Sequence, residues 1–165
     1  MTIEIGIDLG VAPDRAPRVV LDTAVVVTAL VFGGGVPSQL RQAWQRGRCK
    51  PMVCKATLLD LQDQLAHPRL GFTPREQAGL LAEFLRFAGR VRVPEAVEGE
   101  SLVLAQARLA HAGKAHALVT ADRSLLGRPA GFPCPALTLD DFIAVLNDLR
   151  AKRHAMQAPT GTAAP

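Results

Sequence analysis

Hydrophobic positions along the chain form two patterns, one typical of buried strands and one typical of helices. Short apolar runs bounded by polar or turn residues predict five strands at 18–22, 50–54, 90–93, 117–120 and 136–139. Longer segments with mostly helical spacing predict six helices at 25–32, 37–46, 55–67, 74–88, 102–112 and 140–152. Strands that alternate with helices predict an α/β fold, with helices on both faces of a parallel sheet.

Two helix starts carry residues that favour capping. Ser38 follows Pro37 and is predicted to cap the second helix, because its hydroxyl can accept from a free backbone amide. Thr73 precedes Pro74 and stands three residues before Glu76, which is the spacing of a capping box.

The two ends of the chain differ from the segment between them. Apolar and polar residues alternate over 2–9, which predicts an extended strand. Residues 1–17 are therefore predicted to form an extension that adds an edge strand or a homodimer contact. Residues 18–152 form the predicted domain, and 153–165, rich in Ala, Thr, Pro and Gly, are predicted to be a disordered tail.

The composition narrows the class of protein. With 165 residues, 48% of them hydrophobic, the chain suits one domain with a sizeable core. A net charge of +4 is compatible with a polyanionic partner without requiring one. No run approaches the roughly 20 apolar residues of a membrane span, and the first residues lack a signal-peptide pattern. Three cysteines without metal-binding spacing predict free thiols in a reducing cytoplasm.

Carboxylates follow two of the predicted strands and interrupt one apolar helix. Asp22 and Asp122 come after strands whose carboxyl ends should share one edge of the sheet, and Asp60 stands among leucines. Gathered carboxylates repel one another unless a cation offsets their charge, and hard oxygen ligands favour Mg²⁺ or Mn²⁺. Such an ion supports phosphodiester hydrolysis. In the alternative interpretation each Asp after a strand caps the next helix, and Asp60 faces solvent.

Four segments, in this order and spacing, resemble the PIN-domain family, in particular its VapC-like toxin components. They are RVVLDT at 18–23, LLDLQDQLAHPRL at 58–70, AGKAHALVTADRSLL at 112–126 and PALTLDDF at 135–142. The resemblance spans about 18–149. It implies a PIN-like three-layer sandwich, with Asp22 as the first acid, Asp60 where the family has Glu, and Asp122 as the late acid.

Two positions depart from the family pattern. Ala24 stands where Asn usually follows Asp-Thr, and alanine cannot replace the hydrogen bonds of the amide. The family also carries an acidic run before its alanine-rich helix. There Glu100 falls near the first acid of the run, and Val103 falls near the second. Glu100 is either a further ligand or a solvated loop acid.

The resemblance implies a metal-dependent endoribonuclease in which Asp22, Asp60, Glu100 and Asp122 are the catalytic residues that hold Mg²⁺ or Mn²⁺. It implies hydrolysis of RNA to a 5′-phosphate and a 3′-hydroxyl, and an antitoxin protein as partner. Thr120 is expected to orient Asp122 or a water. The basic residues expected to steer RNA are Arg15, Arg18 and Arg123.

Other functions find less support in the sequence. The main alternative is a degenerate PIN domain that binds RNA or a protein without cleavage, which Ala24 and Val103 favour. GIDLG at 6–10 resembles a phosphate motif of actin-like ATPases, but this chain is too short for their two domains. The triple glycine at 33–35 lacks the Lys of a P-loop. A receiver domain would need adjacent acids after an early strand and a Lys-Pro after the last strand, and neither is present.

Overall fold

The computed structural model describes residues 6–94 and 99–158. Within them are strands β1 (Arg18–Leu21), β2 (Lys50–Val53), β3 (Gly89–Arg90), β4 (Ala117–Val119) and β5 (Ala136–Leu137). The helices are α1 (Thr23–Val31), α2 (Gly35–Gln45), α3 (Lys55–Leu65), α4 (Pro74–Leu85), α5 (Leu102–Ala112) and α6 (Leu139–Gln157). Short 3-10 turns follow α3 at Pro68–Leu70 and β4 at Arg123–Leu125.

All five strands are parallel, in the order β3-β2-β1-β4-β5. The chain adds strands to one side of β1 and then, after α5, to the other, so the order reverses between β1 and β4. The pairing of Leu21 with Val119 aligns the carboxyl ends of these two strands. Open parallel sheets place their functional groups at such a point of reversal.

The strands alternate between two hydrophobic clusters, one on each face of the sheet. Val19 and Leu21 point into the larger cluster, while Val20 points into the smaller one. The larger cluster is closed by side chains of α1, α2, α3, α4 and α6, with Trp44 and Phe84 packed edge to face. The smaller cluster is closed mainly by α5, through Leu109. The predicted three-layer sandwich with a five-stranded parallel sheet is confirmed.

The observed bounds of α5 match the predicted bounds at both ends. Those of α2 match less closely. This helix begins at Gly35 with Gly34 as its cap, so the prediction that Ser38 caps it is wrong. Gly35 has a φ of +69°, a conformation that glycine adopts without the steric penalty of a side chain. The predicted capping box at α4 is confirmed, since Thr73 and Glu76 each accept from the other's backbone amide.

The described residues near each end of the chain differ from the prediction. Of the predicted strand at 2–9, residues 2–5 lie outside the described residues, and residues 6–9 form no strand. Ile7 and Leu9 instead pack against the larger cluster. The last helix continues through residues 153–157, which were predicted to be disordered, and Arg153 Nε donates to the Pro13 carbonyl at 3.0 Å. That contact offers a physical reason for the longer helix, because it ties the extra turn to the opposite end of the chain.

Within the part of the chain that the structure describes, no single helix is both long and apolar enough to cross a membrane, although α1 and α2 together reach that length as a pair bent by 98°.

All three cysteines are buried free thiols. Burial raises the pKa of Cys49 to about 12 and that of Cys134 to about 11, which keeps both thiols protonated at neutral pH.

Candidate active site

One hydroxyl links the Asp22 carboxylate to the backbone amide of Asp122 at the point where the strand order reverses. Thr120 directly follows β4, is 1% exposed, and donates its hydroxyl to Asp22 Oδ2 at 3.0 Å. The Thr120 hydroxyl oxygen in turn accepts from the backbone amide of Asp122 at 3.1 Å. The role expected for Thr120 next to Asp122 therefore has a geometric basis, although the hydroxyl contacts the Asp122 backbone and the Asp22 carboxylate.

The second oxygen of Asp22 is held by a residue that the sequence analysis missed. Gln106 on α5 is 2% exposed and donates from Nε2 to Asp22 Oδ1 at 3.2 Å. An available signal was its position, because Gln106 lies on the same helical stripe as the buried Leu109 and Ala110. A buried amide needs a polar partner, and the carboxylate at the end of β1 supplies it.

Asp60 lies beside the same strand end but in its own hydrogen-bond group. Its Oδ2 accepts from the Thr23 hydroxyl, in a short hydrogen bond, and from Gln64 Nε2 at 2.7 Å. Gln64 Nε2 also lies 2.6 Å from the Thr23 hydroxyl. Thr23 is the residue after Asp22, so this group joins α3 to the start of α1. Asp60 is half-buried, which does not fit the fully solvated alternative.

The Asp122 carboxylate is exposed and is fixed by its own loop. Its Oδ1 accepts from the backbone amide of Ser124 at 3.0 Å and from the Ser124 hydroxyl at 2.7 Å. These bonds, the hydroxyl first, lower the pKa of Asp122 below its ordinary value. The carboxylate therefore caps a 3-10 turn and remains charged and accessible to a ligand.

Glu100 is not a solvated loop acid, because it is buried and paired with Arg108. Its side chain is 4% exposed, and Oε1 lies 2.8 Å from Arg108 Nε in an ion pair that is poorly aligned for a hydrogen bond. It lines a cavity of about 320 Å³ with Lys55 and Cys54 among its neighbours. The sequence analysis missed Arg108 because contacts between the start of α5 and its second turn depend on the path of the preceding loop.

The four predicted ligands do not form one cluster. Among residues 6–94 and 99–158, no three Asp, Glu, His or Cys side chains lie together as a metal-binding group. Val103 and Leu104, in the first turn of α5, are 40% and 48% exposed and carry no carboxylate near the position where an acid was expected. Ala24 is exposed.

Two of the three basic residues expected to steer RNA lie at the wrong edge of the sheet. Arg18 begins β1, and its guanidinium donates to the carbonyls of Gly113 and Lys114, at 3.1 and 2.9 Å. Arg15 precedes the same strand, whereas the acids follow it. Only Arg123, exposed and next to Asp122, lies on the side of the candidate site.

A family model for the PIN domain matches residues 18–124, more than half of the chain and all of the segment from β1 to the turn after Asp122. The chain belongs to the PIN-domain family. Comparisons with curated proteins and with solved structures found no match.

PIN domains are a nuclease-type family, generally depend on divalent metal ions and commonly bind RNA. The donor set of this PIN domain fits such an ion in part. Asp22 supplies hard oxygens at the end of β1, and Asp122 supplies an exposed carboxylate on the loop after β4. Mg²⁺ is often held by one or two carboxylates together with waters and substrate phosphates.

The hydrogen bonds of Ser124 predict a local effect on Asp122. In Ser124→Ala the hydroxyl donor is lost while the backbone donor remains, so the pKa of Asp122 should rise toward its ordinary value. A carboxyl-carbon NMR titration between about pH 2 and 6 measures this pKa. Because the native pKa is depressed, the hydrogen bonds stabilise the ionised form, and this contribution is lost as the pH falls through that pKa.

Ser101→Ala is the matched control, because the Ser101 hydroxyl also caps a helix, where it accepts from the Leu104 amide, but makes no contact with Asp122. An Asp122 pKa that is the same in the wild-type protein and in Ser124→Ala would contradict the assigned hydrogen bond.

Proposed function

We propose that this PIN domain is a metal-dependent endoribonuclease that hydrolyses RNA phosphodiester bonds at the carboxyl edge of β1 and β4. The observation that carries the proposal is the single Thr120 hydroxyl that holds the carboxylate of Asp22 beside the loop of Asp122. Membership in a nuclease-type family supplies the chemistry, and the exposed, charged Asp122 supplies an accessible ligand.

Each residue of the candidate active site has a distinct role in this proposal. Asp22 and Asp122 would hold the ion, and Asp60 would act through a water, because its Oδ2 already accepts from Thr23 and Gln64. Gln106 and Thr120 are positioning residues, since each donates to a different oxygen of Asp22 and so fixes its orientation. Preorganised ligands reduce the reorganisation needed when substrate binds.

Divalent metal, when bound, lowers the pKa of a water and offsets negative charge on the phosphate that is attacked. Two carboxylates leave coordination positions for non-bridging phosphate oxygens, so substrate and ion should bind together. Arg123 is placed to contact an adjacent phosphate through its planar guanidinium. We assign Glu100 to the ion pair with Arg108 and not to the ligand set.

A degenerate PIN domain that binds RNA or protein without cleavage is the second candidate function. It is favoured by the absence of a three-acid group among the described residues and by the apolar Val103 and Leu104 in the first turn of α5. A cytoplasmic toxin role with an antitoxin partner is a further part of the proposal. It is supported by the resemblance of the motifs and by exposed apolar side chains such as Phe32 and Leu59, which a partner protein would cover.

Substitution of Asp22 tests the cleavage proposal directly. A mixed RNA pool incubated with Mn²⁺ should be cleaved by the wild-type protein, and Asp22→Asn should lower the rate by more than about 100-fold. The reason is that loss of a direct ligand should exceed the 10–100-fold cost typical of residues that only orient a ligand. Gel analysis of the products measures the rate and the end groups.

Asp63→Asn is the matched control. It removes an exposed carboxylate from α3, three residues after Asp60, without touching the site. Equal cleavage by the wild-type protein and Asp22→Asn would reject Asp22 as a ligand. No cleavage by either protein, with Mn²⁺ binding retained, would favour the binding module.

Val103→Asp should restore a missing carboxylate. Val103 lies one helical turn before Gln106, the residue that reaches Asp22, so an acid there should add to the field that attracts the ion. Mn²⁺ affinity measured by calorimetry should rise about tenfold, which corresponds to about 1.4 kcal/mol of Coulombic attraction. The exposure of Val103 makes the substitution compatible with folding.

Leu104→Asp tests whether Val103, and not its neighbour, occupies the position of the missing acid. It adds the same charge to the same helix end but about 100° further round the helix. A larger gain in Mn²⁺ affinity for Leu104→Asp than for Val103→Asp would contradict the register assigned to this helix.

A further inference from the structure

An arginine-rich cavity lies at the amino-terminal edge of the sheet, away from the candidate active site. It has a volume of about 130 Å³ and is lined by Arg15, Arg48, Leu146, Leu149, Arg150, Arg153 and His154. Arg15 precedes β1 and Arg48 precedes β2, whereas the carboxylates Asp22 and Asp122 follow strands. In a parallel sheet these positions lie at opposite edges, so the arginine cavity is separate from the active site.

One face of α6 builds half of the arginine cavity. Residues 146, 149, 150, 153 and 154 follow helical spacing and so lie on one side of the helix. Leu146 is buried in the larger hydrophobic cluster. Further along α6, beyond the end of this cluster, the same side of the helix carries basic residues. Arg153 is fixed there by its hydrogen bond to the Pro13 carbonyl.

Among residues 6–94 and 99–158, the positive charges of the arginine cavity have no acidic partner. No carboxylate lines it, and none of the ion pairs among the described residues involves Arg15, Arg48, Arg150 or Arg153. Burial lowers the pKa of the Arg48 guanidinium, as does repulsion from Arg150, Arg46 and Arg153. Guanidinium groups gathered in this way repel one another, and a bound anion would offset that repulsion.

The negative end of the α6 dipole does not account for the arginines of this cavity. The carboxyl end of a helix carries roughly half an elementary negative charge, and one basic residue in the last turn satisfies it. His154 already occupies the last turn of α6, whereas Arg15 and Arg48 come from other segments of the chain. Three separate segments therefore contribute charge to one cavity, which is the arrangement of an anion-binding site.

We propose that the arginine cavity binds backbone phosphates of single-stranded RNA at a distance from the bond that is cleaved. The planar guanidinium matches phosphate oxygens in a two-point contact, which favours phosphate over a simple halide. The identification of the polyanion as RNA rests on the proposed function. The four arginines carry more positive charge than one phosphate group can neutralise, which favours a chain of phosphates over one small anion.

The test is RNA affinity in the absence of metal, so that it does not depend on cleavage. A fluorescent single-stranded RNA is titrated with the full-length protein in EDTA, at several salt concentrations. Arg48→Ala combined with Arg150→Ala should weaken binding at least about tenfold. It should also reduce the slope of log affinity against log salt by about 1.4, since each lost phosphate contact contributes about 0.7 for a single strand.

The control protein carries Arg75→Ala and Arg128→Ala, two exposed arginines that do not line the arginine cavity. Its affinity and salt slope should match the wild-type values. Arg150→Glu, a change at an exposed position, should weaken RNA binding on its own, and thermal melting of each variant confirms that it is folded. Loss of cleavage in the Asp22→Asn protein leaves this result unchanged, so the two proposals fail separately.

Three results would overturn the inference. Equal losses in the two double variants would mean that total charge, and not the arginine cavity, sets RNA affinity. Unchanged RNA affinity in the double variant of Arg48 and Arg150 would exclude the cavity from RNA binding. If these substitutions weaken the binding of inorganic phosphate but leave RNA affinity unchanged, the ligand is a small phosphate-bearing molecule.

Discussion

The candidate site depends on the parallel pairing of β1 with β4. Register pairs Leu21 with Val119, and the Asp22 amide donates to the Val119 carbonyl at 2.9 Å, which continues the ladder beyond the strand. The first residue after β4 is Thr120, whose hydroxyl can both donate and accept. It donates to Asp22 and accepts from the amide of Asp122. A shift of register by one residue would turn these side chains to the other face and disconnect the acids.

The way in which the acids are held reduces the cost of placing them near one another. Asp22 is held by two neutral donors, Asp60 by a threonine and a glutamine, and Asp122 by the turn that follows it. Glu100 is neutralised separately by Arg108. These hydrogen bonds stabilise the charged form of the carboxylates. The same arrangement offers an ion fewer direct ligands, which explains why substrate phosphates are part of the proposed site.

Patterns with a short range in the chain predicted most of the fold. Alternation of apolar runs located all five strands, and the alanine-rich segment gave both ends of α5 correctly. The acid after β1 and the acid after β4 were predicted to share an edge, because parallel strands end on the same side. Contacts between distant segments were not predictable in this way. Arg153 reaches Pro13 and so lengthens α6, and Gln106 reaches Asp22 across 84 positions. Arg15 and Arg18 were assigned to the site by nearness in sequence, which ignores the length of β1.

Paramagnetic broadening by Mn²⁺ tests most directly whether Asp22 and Asp122 form one ion-binding site. In backbone amide NMR spectra at low Mn²⁺ concentration, signals close to the bound ion lose intensity first. A shared ion-binding site predicts early intensity losses at residues 22–23 and 120–124 in the wild-type protein, and no such losses in Asp22→Asn. Early losses centred on Glu100, or the same losses in the wild-type protein and in Asp22→Asn, would contradict it.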